Sequence, residues 1–465
     1  MPSVGDVSSR QAAERGPSQD TLRHALHDWR DALAAVLAAL VAMTLVATLG
    51  LWAAGATDLP GGAFPRVVAA VVVMAAGGDV DLSGGAGALA GAEAELVAMP
   101  LSVSLTGALV LGAGFLRPLR HRAVASGREL LARVGRTVLL WLAGLALAVS
   151  LARHTFTDIV PQDSPAGVIS DLLGDVLDAS PELGFQARLG STLLYGLLWV
   201  LGVLVMALLV SRKAPLPSRL VRYQEPVRPA AFAMLVLLLA YVAIGLVTGL
   251  VVAATKGHTA DTFAVLLLGL PNLVWMALGL GVFASWEGKV EGPFGLPMPH
   301  VLDQVLRGEE ITTLDVQALA EYDGRAWWLV PAAAVLLLAA AFVMAVRSPA
   351  RTRLWQQALH FGVAFALTML VIAPLTRLRA SFGLSLLGIF EIDALGGEAV
   401  LRPHLWTAVG LALLWGLAAG FLGGLLASPV RRRGEVATPQ SEPGEAYRNT
   451  GSAQRGGEGG GPDGT

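Results

Sequence analysis

The chain contains no cysteine. Disulfides therefore cannot staple its loops, and thiolate metal sites, iron–sulfur clusters and thiol redox chemistry are excluded. Charge is scarce too. Asp, Glu, Lys and Arg make up 15% of the 465 residues, against about 25% in soluble domains. The long apolar runs hold almost none of that charge, so acids, bases and nucleophiles are nearly missing from them. There is no HExxH, GxSxG or Walker A motif, no GxGxxG between a strand and a helix, and no carboxylate pair inside an apolar run. These absences argue against an enzyme and against a resident metal or cofactor. No nucleic-acid partner is expected. The first 30 residues are polar, so no cleavable signal peptide of the usual kind is expected either.

What the chain has is apolar length. Hydrophobic residues are 54% of it, gathered in runs of about 20, enough to cross ~30 Å of hydrocarbon as helix. The alternation of a membrane barrel strand is absent from these runs. The expected fold is all-α, a polytopic membrane helix bundle that has a lipid bilayer as its surroundings. Nine apolar runs cover about 32–54, 96–116, 137–151, 191–210, 229–254, 262–285, 326–346, 354–375 and 405–428. Before them, residues 1–31 form a polar tail and an interfacial helix at Asp20–Asp31. After them, residues 429–465 are Gly/Ser/Pro/Glu-rich and expected to be disordered. The transmembrane domain, 32–428, leaves long loops at 55–95, 152–190, 286–325 and 376–404.

The loops carry smaller signals. Val67–Met74 and Ser381–Phe390 are apolar but too short to span, and the first reads as an interfacial or re-entrant piece. The glycine-rich segment 77–95 reads as a flexible solvated loop. Its Asp79, Asp81 and Ser83 resemble the opening of a calcium loop, but Ala90 stands where the closing Glu should be. Gly167–Ala179 has the pattern of an amphipathic helix. Short helical pieces are expected at His300–Arg307 and Leu314–Tyr322, the second with Thr312 and Asp315 spaced as a capping box.

Charge threads the chain. Basic links lie at 117–136, 211–228, 347–353 and 431–433, and short basic loops mark the cytoplasmic side. With both termini also cytoplasmic, the number of crossings between Arg228 and Arg347 must be even, yet three apolar runs lie there. The middle run, DTFAVLLLGLPNLVWMALGLGVFASW (261–286), is the one expected to enter and return. Proline breaks a helical hydrogen bond, so Pro271 divides it into half-helices at about Thr262–Leu270 and Asn272–Ser285. The result is about eight full transmembrane helices plus one re-entrant or broken segment. The loop 286–325 then lies outside, and its eight acids against Lys289, Arg307 and Arg325 agree.

A broken helix near mid-membrane offers backbone groups and a polar side chain to a ligand. Pro271, Asn272, Gly269 and Trp275 are therefore the candidate site, with His360 as the clearest ionisable residue inside a span. Two readings follow. In one, the protein is transporter- or permease-like and passes an unknown small molecule at 262–285. In the other, it is a membrane scaffold or cell-envelope regulator whose external acidic helices bind a partner protein. A faint internal echo favours the first: GALVLGAGFLRPLRHR (107–122) resembles GLAAGFLGGLLASPVRRR (416–433).

The strings AMPLSVSLTGALVLGAGFLRPLR (98–120) and GLPNLVWMALGLG (269–281), with the glycine-rich last run before Arg431-Arg432-Arg433, resemble the streptophobe family. These are highly hydrophobic actinomycete membrane proteins of unassigned activity. The resemblance implies a bacterial plasma-membrane location and carries no catalytic or ligand residues.

Overall fold

The computed structural model describes residues 17–59, 62–86, 90–118, 127–156, 181–211, 218–257, 259–290, 312–349, 351–386, 390–391 and 397–429. In chain order the elements begin with helix α1 (Pro17–Ala53), helix α2 (Phe64–Ala75), strands β1 (Val80–Ala86) and β2 (Ala90–Ala98), and helices α3 (Leu101–Leu116) and α4 (Gly127–Leu151). Strands β3 (Arg153–Phe156) and β4 (Pro181–Ala187) precede α5 (Leu189–Val210), α6 (Ser218–Lys256) and α7 (Thr259–Gly281). Then come β5 (Trp286–Val290), β6 (Thr312–Leu314), α8 (Val316–Tyr322), α9 (Leu329–Arg347) and α10 (Leu354–Leu375). The last are β7 (Leu378–Leu386), β8 (Phe390–Glu391), β9 (Gly397–Pro403) and α11 (Leu405–Leu426).

The helical bundle is the expected one. Among the described residues, eight helices are long and apolar enough to cross a membrane: α1, α4 to α7 and α9 to α11. Their outward faces are apolar, as in Leu37, Val41 and Leu45 of α1. Exposed tryptophans mark two levels. Trp52, Trp328 and Trp406 stand at one end of the bundle, and Trp29 and Trp355 at the other. Trp29 and Trp52 lie on one helix, separated by about 34 Å at 1.5 Å per residue. That matches the spacing of the two aromatic belts of a bilayer. The expected interfacial helix at Asp20–Asp31 is continuous with the first span in the 37-residue α1.

The loops hold an addition that the sequence did not announce. Strands from all four of them join in one antiparallel sheet, in the order β3-β4-β1-β2-β7-β9-β5-β6, with β8 beside β7. The glycine-rich segment read as a flexible loop contributes β1 and most of β2. Of Ser381–Phe390, residues 381–386 belong to β7 and Phe390 begins β8. Asp315, not Thr312, caps α8: its carboxylate accepts from Ala318 N–H at 2.7 Å, and Thr312 belongs to β6. The expected helices at Gly167–Ala179 and His300–Arg307, the residues before 17 and those after 429 lie outside the described residues.

Because one sheet joins these strands, the helix ends that feed them lie at one end of the bundle. These are the C-termini of α4, α7 and α10 and the N-termini of α3, α5 and α11; α9 follows β6 through α8. The helix ends carrying the basic links lie at the other. The path of α7 follows. It leaves the far end of α6, turns at Gly257, and delivers the chain to β5 at the sheet end. Its partners say the same. Leu268 packs on Gly50, near the end of α1; Asn272 touches Leu101, the first residue of α3; Gly281 packs on Leu329 and Ala333, at the start of α9. Helix α7 therefore stays in the sheet-side part of the bundle. α3, only 16 residues, runs end to end against α1 instead, Gly107 on Met43 and Gly114 on Ala35. The end-to-end helices are thus α1, α3 to α6 and α9 to α11.

The chain is built twice. Residues 17–211 give α1, α2, β1, β2, α3, α4, β3, β4, α5. Residues 218–429 give α6, α7, β5, β6, α9, α10, β7, β9, α11 in the same order, with α8 and β8 as additions. The sheet order within the halves is the same, β3-β4-β1-β2 and β7-β9-β5-β6. The registers match: Val80 lies between Leu96 and Ala187, and Trp286 between Leu314 and Pro403. The end of α2 is repeated atom for atom at the end of α7. The N–H groups of Ala76 and Val282 each reach two preceding carbonyls, and Gly78 and Ala284 N–H close on Val73 and Gly279 O. Between them, Gly77 and Phe283 take positive φ, 90° and 66°. One constant shift in numbering relates these pairs at the ends of α2 and α7, and it places Pro65 on Pro271 in FPRVV and LPNLV. The seven-residue β4 and β9 lead through Arg188 and His404 into the 22-residue α5 and α11. Both of those helices carry Leu-Leu-Trp at the same place, 197–199 and 413–415.

Each half has its own core: Met43, Leu111, Trp141, Leu145 and Leu204 in the first, Trp275, Leu337, Phe361, Phe365 and Met369 in the second. The echo between 107–122 and 416–433 compares α3 with α11, whose counterparts are α9 and α5. It does not follow the repeat.

Candidate functional site

Four of the five candidate residues lie on α7, where it crosses from its own half onto the first. The expected half-helices are joined: α7 is continuous through Pro271. Ser102, at the start of α3, lies against this stretch. Its hydroxyl donates to Leu266 O at 2.9 Å and accepts from Leu270 N–H at 3.1 Å. Those two groups would bond each other in an undisturbed helix, so the hydroxyl is inserted into the ladder one residue before the proline. A side chain inserted there is a recognised cause of a bend.

Asn272 is the second clasp. Its Oδ1 accepts from Leu101 N–H at 3.1 Å and its Nδ2 donates to Met99 O at 2.9 Å. The N-cap residue of α3 is Pro100, which supplies no side-chain cap. Asn272 caps α3 from the other half of the chain and satisfies a donor that a helix start leaves unpaired. Trp275 is buried, and its indole N–H donates to Leu238 O of α6 at 3.3 Å. Gly245 and Gly249, at GxxxG spacing, form the face of α6 on which α7 lies: a Cβ at Gly245 would meet Val274 at 2.3 Å, and one at Gly249 would meet Leu266 at 2.4 Å. Gly269 is the roomy position. A Cβ there would meet only Asn272 Oδ1, at 4.0 Å.

His360 is not brought to this place. It lies in the second turn of α10, at the basic end, roughly 22 Å of helix from the sheet-side end of α10. Beside it Gln357 is buried and donates to Thr352 Oγ1 at 3.1 Å. Among the described residues, no three His, Asp or Glu side chains gather as a metal site. Ser102 has no role in the reading of the sequence alone. The signal was spacing: a hydroxyl one residue inside a helix that starts after Pro100.

A second polar pattern sits where the helices enter the sheet. Arg188 Nε pairs with Asp81 Oδ2 at 2.5 Å, and its repeat counterpart His404 Nε2 pairs with Glu287 Oε1 at 2.8 Å. The backbone bonds beside them also correspond, Arg188 N–H to Asp79 O at 3.2 Å and His404 N–H to Ser285 O at 3.0 Å. Each half thus ties the start of its last helix to its first strand.

No protein-family model matches the chain, and neither the curated proteins nor the solved structures include a match.

The path of α7 gives a direct labelling test in this cysteine-free chain. Single cysteines at Asp261 and Lys289 should react with a membrane-impermeant maleimide from one side, and a cysteine at Arg353 from the other. If positions 261 and 289 were labelled from opposite sides, α7 would be an ordinary span.

Proposed function

We propose that this protein is a permease-like member of the bacterial plasma membrane, of the streptophobe kind, that passes a small molecule between its two halves and performs no covalent chemistry. Its termini and basic helix ends face the cytoplasm, as the basic links favour, and the sheet faces outward. The observation that carries the reading is the repeat. Two halves of the same orientation, each with its own core and each with a helix that enters from the sheet end, are the plan on which many transporters rock one half against the other. The joint is the contact of α7 with α1 and α3. Asn272 serves there as a clasp, since its amide is engaged with backbone.

The second reading, a scaffold for a partner protein, has one feature in its favour. The loop 286–325 carries eight acids against three cations, a charge balance suited to a basic partner.

Locking the joint separates the two. A Cβ at Gly50 would stand 3.3 Å from Leu267 Cβ, close to disulfide spacing. The Gly50→Cys, Leu267→Cys protein, oxidised in proteoliposomes, should lose uptake of whichever small solutes the unmodified protein passes in a panel, and regain it on reduction. Absence of uptake by the unmodified protein, or uptake indifferent to the lock, sinks the transport reading.

A further inference from the structure

The repeat sets two equivalent ties side by side, and they differ in one chemical respect. Arg188 holds Asp81 with a guanidinium, which keeps its charge at any physiological pH. His404 holds Glu287 with an imidazole, which carries a charge only when protonated. We infer that His404 is a proton-binding site, and that its protonation fastens the sheet of the second half to its last helix while the first half stays fastened at every pH.

The geometry puts His404 where a proton matters. It is the residue before α11, outside the apolar span. Nε2 faces Glu287 of β5, and Nδ1 lies 3.3 Å from Ser285 Oγ, in the turn between α7 and β5. One ring therefore touches both the strand and the turn that end the crossing helix of the joint. When protonated it donates from both nitrogens. When neutral, the Nε2–H tautomer can still donate to Glu287 while Nδ1 accepts from the Ser285 hydroxyl, and what is lost is the charge of the pair.

The other charged groups around it are guanidinium, ammonium and carboxylate groups. Arg402 of β9 is the cross-strand neighbour of Glu287, and Arg377 comes immediately before β7, the next strand beyond β9. Lys289 lies two residues along β5. The Asp315 carboxylate, beyond β6, is engaged with Ala318 N–H. Carboxylates, ammonium groups and guanidinium groups do not ordinarily titrate between pH 5.5 and 8, so Arg402 gives Glu287 a constant attraction and His404 the variable one. In the first half Gln186 stands opposite Asp81 in the place of Arg402. The sign is fixed: the tie holds below the titration of the imidazole and weakens as pH rises through it. Both side chains are partly exposed, 36% for His404 and 47% for Glu287, so the effect is modest. The inference needs only the repeat and stands apart from transport.

The test is amide hydrogen exchange of the full-length protein in nanodiscs at pH 5.5 and 8, corrected for intrinsic rates. Segment 286–290 should exchange about two- to fivefold faster, relative to its intrinsic rate, at pH 8, as expected for a surface ion pair. Segment 80–86 should show no such change and serves as the reference in the same molecule. His404→Arg should abolish the difference by copying the first half, and Glu287→Gln should abolish it without touching the imidazole. Arg188→His should install it in 80–86. A pH-independent 286–290 in the unmodified protein overturns the inference. So does a difference that survives His404→Arg, or an 80–86 segment that stays insensitive in Arg188→His. None of these readouts uses a transported solute, so failure here is distinct from failure of the uptake experiment.

Discussion

Alanine at Asn272 should destabilise the protein by about 2–4 kcal/mol, as two backbone groups each left unpaired cost about 1–3 kcal/mol. The amide satisfies Leu101 N–H and Met99 O at once. No residue of the α3 start can replace it, because Pro100 has neither a capping side chain nor an N–H. Ser102→Ala is the informative contrast. It also removes two hydrogen bonds to backbone, but the groups it leaves, Leu270 N–H and Leu266 O, are natural i to i−4 partners and can close on each other. Its expected cost is under about 1 kcal/mol. Reversible unfolding of both variants in one detergent decides the matter. Equal costs would mean that the amide is no better placed than the hydroxyl, and that the clasp is not specific.

Leucine at Gly420 should disrupt the second half more severely than an ordinary core overpacking, which costs about 1–3 kcal/mol. Gly416, Gly420 and Gly423 of α11 face backbone. A Cβ at Gly420 would lie 2.9 Å from Ala358 Cα, one at Gly416 2.7 Å from Gly362 Cα, and one at Gly423 2.8 Å from Phe342 N. Side chains can rotate away from an added methyl, but main chain of a packed helix cannot, so α10 and α11 must separate along their length. Gly410 is the control on the same helix. A Cβ there meets nothing within 4 Å, and Gly410→Ala should be neutral or stabilise by about 0.5–1 kcal/mol. Thermal unfolding in detergent, followed by tryptophan fluorescence, measures both. A Gly420→Leu protein with the unfolding temperature of the unmodified one would contradict the close approach.

Much of this was legible in the chain. Apolar runs longer than a bilayer is thick have few alternatives. The parity of the basic links assigned 261–286 a returning path, because charge near a span end reports on its side whatever the span does inside. The sheet was less legible. β1 and β2 are mostly glycine, alanine and acid, residues with little preference for strands; their extended form is imposed by neighbours on both sides. β7 was readable and overlooked: LRASFGLSL alternates apolar and small or polar residues throughout, the period of a half-buried strand. Asn272 was noticed for the right property, an amide in an apolar place. Its partners lie more than 170 positions away in the chain, and no local pattern encodes them. The repeat hid for a related reason. A lipid-facing helix must be apolar and little else, so the two copies kept their strand registers, helix ends and one proline while their other residues drifted.

The number of crossings in each half has a consequence for how such a chain can arise. Four is even, so a half begins and ends on the same side of the membrane. A gene for one half, copied and joined head to tail, yields a second half that inserts in the same sense as the first, and a short connection such as 211–217 suffices to join them. A module with an odd number of crossings would have needed either an extra helix or a copy able to insert upside down. Fusion also frees the copies from being identical. One could lengthen its returning helix and reach across to clasp the other, and exchange an arginine for a histidine, changes that a pair of identical subunits would have had to make twice.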